Sequence, residues 1–205
     1  MIQNLHLIQS INKIKEFYDS EKTFCAIDTE TTGLNCSKER VIEIGAVKFN
    51  NKGFIDKFST LLNPQIDIPL YCTELTGITN ELLKDAPYAN EIIPKFRQFC
   101  NDSILIAHNA QFDLRFINAE SERLKLTPLT NQAVDTLRLS RILLPLNQSW
   151  KQTNLANQFN IEVKSAHRAF DDARVCMELF KILISLPIPK KQKKKQPIPI
   201  THEEP

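Results

Sequence analysis

Phe24-Cys25-Ala26-Ile27-Asp28-Thr29-Glu30-Thr31-Thr32-Gly33 carries an apolar run straight into two acids separated by one residue. A short apolar run closed by polar residues reads as a buried strand. Successive strand side chains point to opposite faces, so Asp28 and Glu30 project together. Carboxylates held side by side repel each other unless a cation lies between them. Their hard oxygens suit Mg²⁺ or Mn²⁺ rather than zinc. Taken alone, the stretch could also be an acidic turn after a strand, and the rest of the chain decides between the two.

Working outward, residues 40–49 are rich in Val and Ile and predict a second strand, and 54–62 a third. Asn50-Asn51-Lys52-Gly53 between them is turn chemistry, so the two form a hairpin. Helices are predicted over 80–84 and 88–100, a buried strand over 103–107 and a helix over 110–126. A short strand at 133–135 feeds a helix ending near Leu144, and helices follow over 154–159 and 168–185. Antiparallel strands followed by alternating strands and helices imply an α/β architecture, a mixed sheet flanked by helices. Leu7, Ile11, Ile14 and Tyr18 recur at helical spacing, so residues 1–20 predict an amphipathic helix packed on the domain.

Two more segments carry acids in telling places. His108-Asn109-Ala110-Gln111-Phe112-Asp113 follows the fourth strand and opens a helix, with Asp113 in the first turn, where the dipole favours an anion. His108 itself is expected to satisfy a structural hydrogen bond. His167-Arg168-Ala169-Phe170-Asp171-Asp172-Ala173 places a histidine just outside the last helix. Asp172 shares the apolar face of Cys176, Leu179 and Leu183, an expensive position for an unpaired acid. Asp171, one step round, is expected to face solvent.

Composition excludes several classes. The chain has 205 residues, 42% hydrophobic and 24% charged, as ordinary soluble domains do. No apolar run is long enough for a membrane span, and the N-terminus lacks signal-peptide features, so a cytoplasmic location is expected. The five cysteines are odd in number, widely spaced and without a C-x-x-C pair, which argues against disulfides and zinc. The net charge of +2 is uneven. Residues 187–205 carry five lysines and two glutamates, which leaves the body slightly acidic, so charge alone does not argue for nucleic acid. The expected organisation is a helix at 1–20, a catalytic domain at 21–186 and a disordered Lys/Pro-rich tail at 187–205.

The three acidic segments, in this order, resemble the three motifs of the DnaQ-like (DEDDh) 3′→5′ exonuclease family, in which four acids are joined by a histidine. The resemblance spans roughly residues 23–185. It implies a ribonuclease-H-like fold with a mixed five-stranded sheet. It also implies two divalent ions, Mg²⁺ or Mn²⁺, held by Asp28, Glu30, Asp113 and Asp172, with His167 as general base. By the same resemblance Thr31, Thr32, Gly33 and Leu34 line the pocket for the terminal nucleotide, Asn109 hydrogen-bonds it and Phe112 stacks on a base. For Leu34 and Phe112, plain core packing is the competing expectation. The segment 73–79 resembles a family element near the substrate, and Thr79 also reads as a helix N-cap. Asp135-Thr136-Leu137 reads as structural support.

The form of the first motif is most similar to the proofreading (epsilon) branch of bacterial DNA polymerase III. The expected activity is release of nucleoside 5′-monophosphates from single-stranded or frayed 3′ ends of DNA. A DNA polymerase subunit is then a candidate partner, although the tail is shorter than that branch's polymerase-binding segment. A 3′→5′ exoribonuclease of the same superfamily is the alternative, and a noncatalytic 3′-end binding module is a third.

Overall fold

The computed structural model describes residues 6–189. Residues 1–5, and the expected tail from residue 190 onward, lie outside the described residues. Helix α1 spans Ile11–Asp19, strand β1 Phe24–Thr31, β2 Val41–Asn50 and β3 Gly53–Leu61. Helices α2 (Leu70–Thr76), α3 (Asn80–Leu83) and α4 (Ala89–Cys100) precede β4 (Ile104–Ala107). Then follow α5 (Ala110–Arg123), β5 (Ala133–Asp135), α6 (Thr136–Leu143), α7 (Gln152–Gln158) and α8 (Ala169–Ser185).

The expected mixed sheet is present, with strand order β3-β2-β1-β4-β5. The first three strands are antiparallel, and β1-β4 and β4-β5 are parallel. Asn50 pairs with Gly53 across a two-residue turn, and the Asn50 side chain accepts from the Lys52 N–H. Gly53 has φ of +134°, a conformation that favours glycine at this corner.

The predicted 1–20 helix begins only at Ile11, where Ser10 caps it by accepting from the Lys13 N–H. Before it the chain is extended. Leu7 bridges Ala133 at the free edge of β5, and the Ile8 N–H donates to the Ala133 carbonyl at 2.8 Å. Covering an open sheet edge in this way outweighs helical periodicity. Helix α2 was not among the predicted elements; it is short and its apolar side chains Leu70, Tyr71 and Leu75 are exposed, so it shows little buried periodicity. Thr79 caps α3 as expected.

Strand alternation sorts the core into two faces. Phe24 and Ala26 of β1, with Val47 and Phe49 of β2, pack under α8 against Cys176, Leu179 and Phe180. Cys25 and Ile27, with Ile44 and Ala46, pack against α4 and α5 through Phe96, Leu114 and Ile117. The same period-2 rule sends Asp28 and Glu30 to the α8 side, as continuations of Phe24 and Ala26. All five cysteines are free thiols. Among the described residues, no helix is long and apolar enough to cross a membrane.

Candidate active site

The site forms where β1 runs on past the end of β4, the carboxyl edge of parallel strands at which open α/β sheets commonly place ligands. Beyond Ala26, which pairs with Ile106, β1 continues past its neighbour and presents Asp28 and Glu30. β4 ends at Ala107, and the chain turns through Asn109, in the left-handed region at φ of 72°, into α5. Asp113 is consequently in the first turn of α5, buried, with Oδ1 accepting from the Thr29 N–H at 3.0 Å and the Thr29 hydroxyl at 2.8 Å. This pair fastens the second acidic segment to the first.

The third segment arrives over the other side. Helix α8 crosses β2 at Gly45, where a Cβ would meet Ala169 and Phe170 backbone atoms at 2.1–2.2 Å. Buried Glu43, two residues earlier on the same strand face, accepts from the Ala169 N–H at 3.0 Å and forms a two-pronged pair with the Arg168 guanidinium. Gly45 and Glu43 thereby set the height and position of α8's first turn. Asp172 lies in that turn, and its Oδ2 accepts from the His167 N–H at 2.8 Å.

His167 adopts φ of 59°, and its side chain is exposed at the cleft mouth. Ligand atoms of Glu30, His167 and Asp172 lie within 4.8 Å of one another. All three line a cleft of about 640 Å³, together with Asp28, Asp113, Asn109 and Phe112. The five residues expected from the three distant segments therefore share one cleft.

Asp171 corrects an expectation. It does not face solvent: it is buried, accepts from the Lys164 and Ser165 N–H groups at 2.7 and 2.8 Å, and pairs with Arg174. These bonds hold its carboxyl below the ordinary value against the opposing effect of burial. The loop carrying His167 is thus tied down by both acids of the Asp171-Asp172 pair.

Thr31, Thr32 and Gly33 do not border the main cleft. The Thr31 hydroxyl donates to the Gly33 carbonyl at 2.7 Å, and the fully buried Thr32 hydroxyl donates to Glu39 at 2.6 Å. Both hydroxyls donate within the turn. Gly33 leaves room for Tyr71, whose hydroxyl would stand 2.9 Å from an added Cβ. Leu34 is 86% exposed, which removes core packing as its explanation. It borders a smaller pocket of about 370 Å³ that shares Asn109 and Phe112 with the main cleft. Phe112 is half-buried, with its ring 4.9 Å from that of Phe116, so it both packs on the core and lines the cleft.

His108 and Asp135 are structural, as expected. His108 Nε2 faces the Trp150 carbonyl at 2.8 Å and must donate to it, leaving Nδ1 to accept from the Thr136 hydroxyl at 3.0 Å. Burial lowers the His108 pKa, which keeps this neutral arrangement. Asp135 caps α6 and accepts from the Asn109 N–H.

The electrostatics are those of crowded acids. Burial pushes Asp28 well above the usual carboxylate range, and Asp113, Asp172, Glu30 and Glu43 push it the same way. Burial raises Glu30 to about 8, with Asp172, Glu43 and Asp113 adding to the rise and Arg168 opposing it. Asp113 is raised to about 7 by burial, although its bonds to Thr29 pull it down. Asp172 is raised by burial, against the His167 N–H and the Gln152 amide.

Residues 25–180 match the exonuclease family RNase_T. The chain is 45% identical over 164 residues to the DNA polymerase III subunit epsilon of Treponema pallidum, covering 79% of this chain and 76% of that protein. This chain belongs to the exonuclease family. It is a 3′→5′ exonuclease of the DnaQ-like, DEDDh type. It is also 44% identical over 160 residues to a PolC-type DNA polymerase III of Caldanaerobacter subterraneus subsp. tengcongensis, covering 78% of this chain and only 11% of that polymerase. In fold it is similar to exonuclease X, solved in complex with 5′ overhanging duplex DNA, at TM-score 0.65 and 24% identity, over 79% of this chain and 91% of that one.

Exonucleases of this type use divalent metal ions, and the cleft fits them. Its donors are carboxylate oxygens whose mutual repulsion and burial both favour a bound cation. Gln152, whose amide donates to Asp172, lines the same cleft. Sequence reasoning missed Glu43, Gly45 and Gln152. A glutamate and a glycine inside the Val/Ile-rich 41–47 strand were the available signal for the first two; Gln152 had none.

Proposed function

We propose that this exonuclease hydrolyses DNA from single-stranded or frayed 3′ ends, releasing nucleoside 5′-monophosphates with two Mg²⁺ or Mn²⁺ ions. The observation that carries the reading is the meeting of Glu30, His167 and Asp172 within 4.8 Å, in a cleft shared with Asp28 and Asp113. Asp28, Glu30 and Asp172 would hold the ions directly. Asp113, with Oδ1 engaged by Thr29, has its second oxygen for the same purpose. Bound ions would supply charge stabilisation to the phosphate and to its attacking and departing oxygens. His167 would take a proton from the attacking water at a ring nitrogen, a role supported by its position beside the carboxylates and its exposure to solvent.

Asn109, at the mouth, offers a side chain that caps no helix, and Phe112 and Leu34 offer apolar surface to bases. The name of the Treponema relative, a DNA polymerase III subunit, supports DNA as the substrate and a polymerase subunit as the partner; proofreading or repair in the cytoplasm is the task that fits this reading. The test is to incubate labelled DNA and RNA oligonucleotides with Mg²⁺, Mn²⁺ or EDTA. Metal-dependent release of mononucleotides from DNA is expected. Release from RNA alone would replace the substrate, and binding without release would replace catalysis by 3′-end capture.

A further inference from the structure

The first residue of α7 makes an unassigned contact with the metal-site acids. Gln152 Nε2 donates to Asp172 Oδ1 and to the Asp172 carbonyl oxygen, both at 3.1 Å. Reversing the amide would set Oε1 against two acceptors, so the contacts fix its orientation. The other carboxylate oxygen of Asp172 is taken by the His167 N–H at 2.8 Å. One donor on each oxygen locks the carboxylate rotamer while leaving each oxygen a further lone pair. The helix that carries Gln152 is itself anchored, because Leu155 and Ala156 are fully buried.

The far side of the amide is equally informative. Gln152 Oε1 is buried and has no protein partner, an expensive state for a carbonyl unless a donor reaches it. Gln152 borders the cleft beside Asp28, Glu30 and Asp172.

We propose that Gln152 is a positioning residue for the metal centre, orienting Asp172 through its amide N–H groups. This rests on the metal-site reading above. Outer contacts of this kind are typically worth 10–100-fold in metal affinity or activity.

The test uses the full chain with Gln152→Leu, and Gln152→Met as a second removal of both polar groups should the first misfold. Mn²⁺ binding is measured without DNA from the electron paramagnetic resonance signal of free Mn²⁺. Folding is checked by thermal unfolding in EDTA. Turnover of a single-stranded DNA oligonucleotide is followed across a Mn²⁺ titration. The expected result is Mn²⁺ binding weakened about 10–100-fold, the half-saturating Mn²⁺ for turnover raised in parallel, and KM for the oligonucleotide within about twofold at saturating metal. A folded variant that binds Mn²⁺ as the parent does overturns the role of Gln152 and leaves the metal site standing. A parent that neither binds Mn²⁺ nor cleaves overturns both.

Discussion

Replacing Glu30 by Gln should stabilise the metal-free protein, and by an amount that grows with pH. The carboxyl titrates at about 8 in the fold against an ordinary 4.5. Below pH 4.5 it is protonated in both states and the substitution removes no charge. As pH rises, the unfolded chain ionises first while the folded site resists, so stability is lost progressively until about pH 8. Linkage over that interval gives about 3 kcal/mol near pH 7 and an upper limit of roughly 5 kcal/mol above pH 8. Water at the cleft screens part of this, so a gain of roughly 1–3 kcal/mol near neutrality is the working figure. At about 2–4 °C per kcal/mol for a chain of this size, that is a visible rise in Tm. Thermal unfolding of both proteins in EDTA, at intervals from pH 4 to pH 9, measures it. Added Mn²⁺ should reverse the order, because only the parent has the full carboxylate set. Parallel pH profiles in EDTA, or a variant that loses ground as pH rises, would show that Glu30 is not among mutually repelling acids.

Asp28→Ala or Asp172→Ala should abolish mononucleotide release while circular dichroism shows the fold intact; unchanged turnover in either would displace the proposed site. His167→Ala should slow turnover by about 10²–10⁴-fold with Mn²⁺ binding less affected than by Asp172→Ala, as separate kinetic and binding titrations would show. Gly45→Ala should cost about 1–3 kcal/mol or more in urea unfolding, since the new methyl meets α8 backbone at 2.1–2.2 Å. The same substitution should lower turnover, because the displaced turn carries Asp172.

The sequence was legible where local rules agree with tertiary demands. The period-2 placement of Asp28 and Glu30 follows from β1 alone, and the α8 face of the core continues it. The 133–135 strand and the Asn50–Gly53 turn were readable for the same reason: composition and packing ask for one conformation. Asp171 was misread because helical spacing says which way a residue points but not what covers it. Here the 164–165 backbone folds over the helix start and supplies donors. The partners of Thr31 and Thr32 were not legible either: hydroxyls next to a site can serve the substrate or their own turn, and here they bond Gly33 and Glu39. Gln152 was invisible, since its value comes from a contact twenty residues away in sequence.

The crowded acids also explain why so much of the chain serves one edge of the sheet. Four carboxylates drawn together without cations oppose folding, so the burden falls on the structure beneath them. Phe24, Phe49 and Phe180 meet with ring centroids 5.2–6.0 Å apart between β1, β2 and α8, on the strand face that Asp28 continues, and Tyr18 of α1 closes the cluster. Glu43 adds still another negative charge nearby, but gives it to Arg168 and the α8 backbone, which fixes where Asp172 stands. An aromatic core and backbone amides thus hold the elements that carry the acids. A cation bound there would meet carboxylates in a fixed arrangement, and relief of their mutual repulsion would favour its binding.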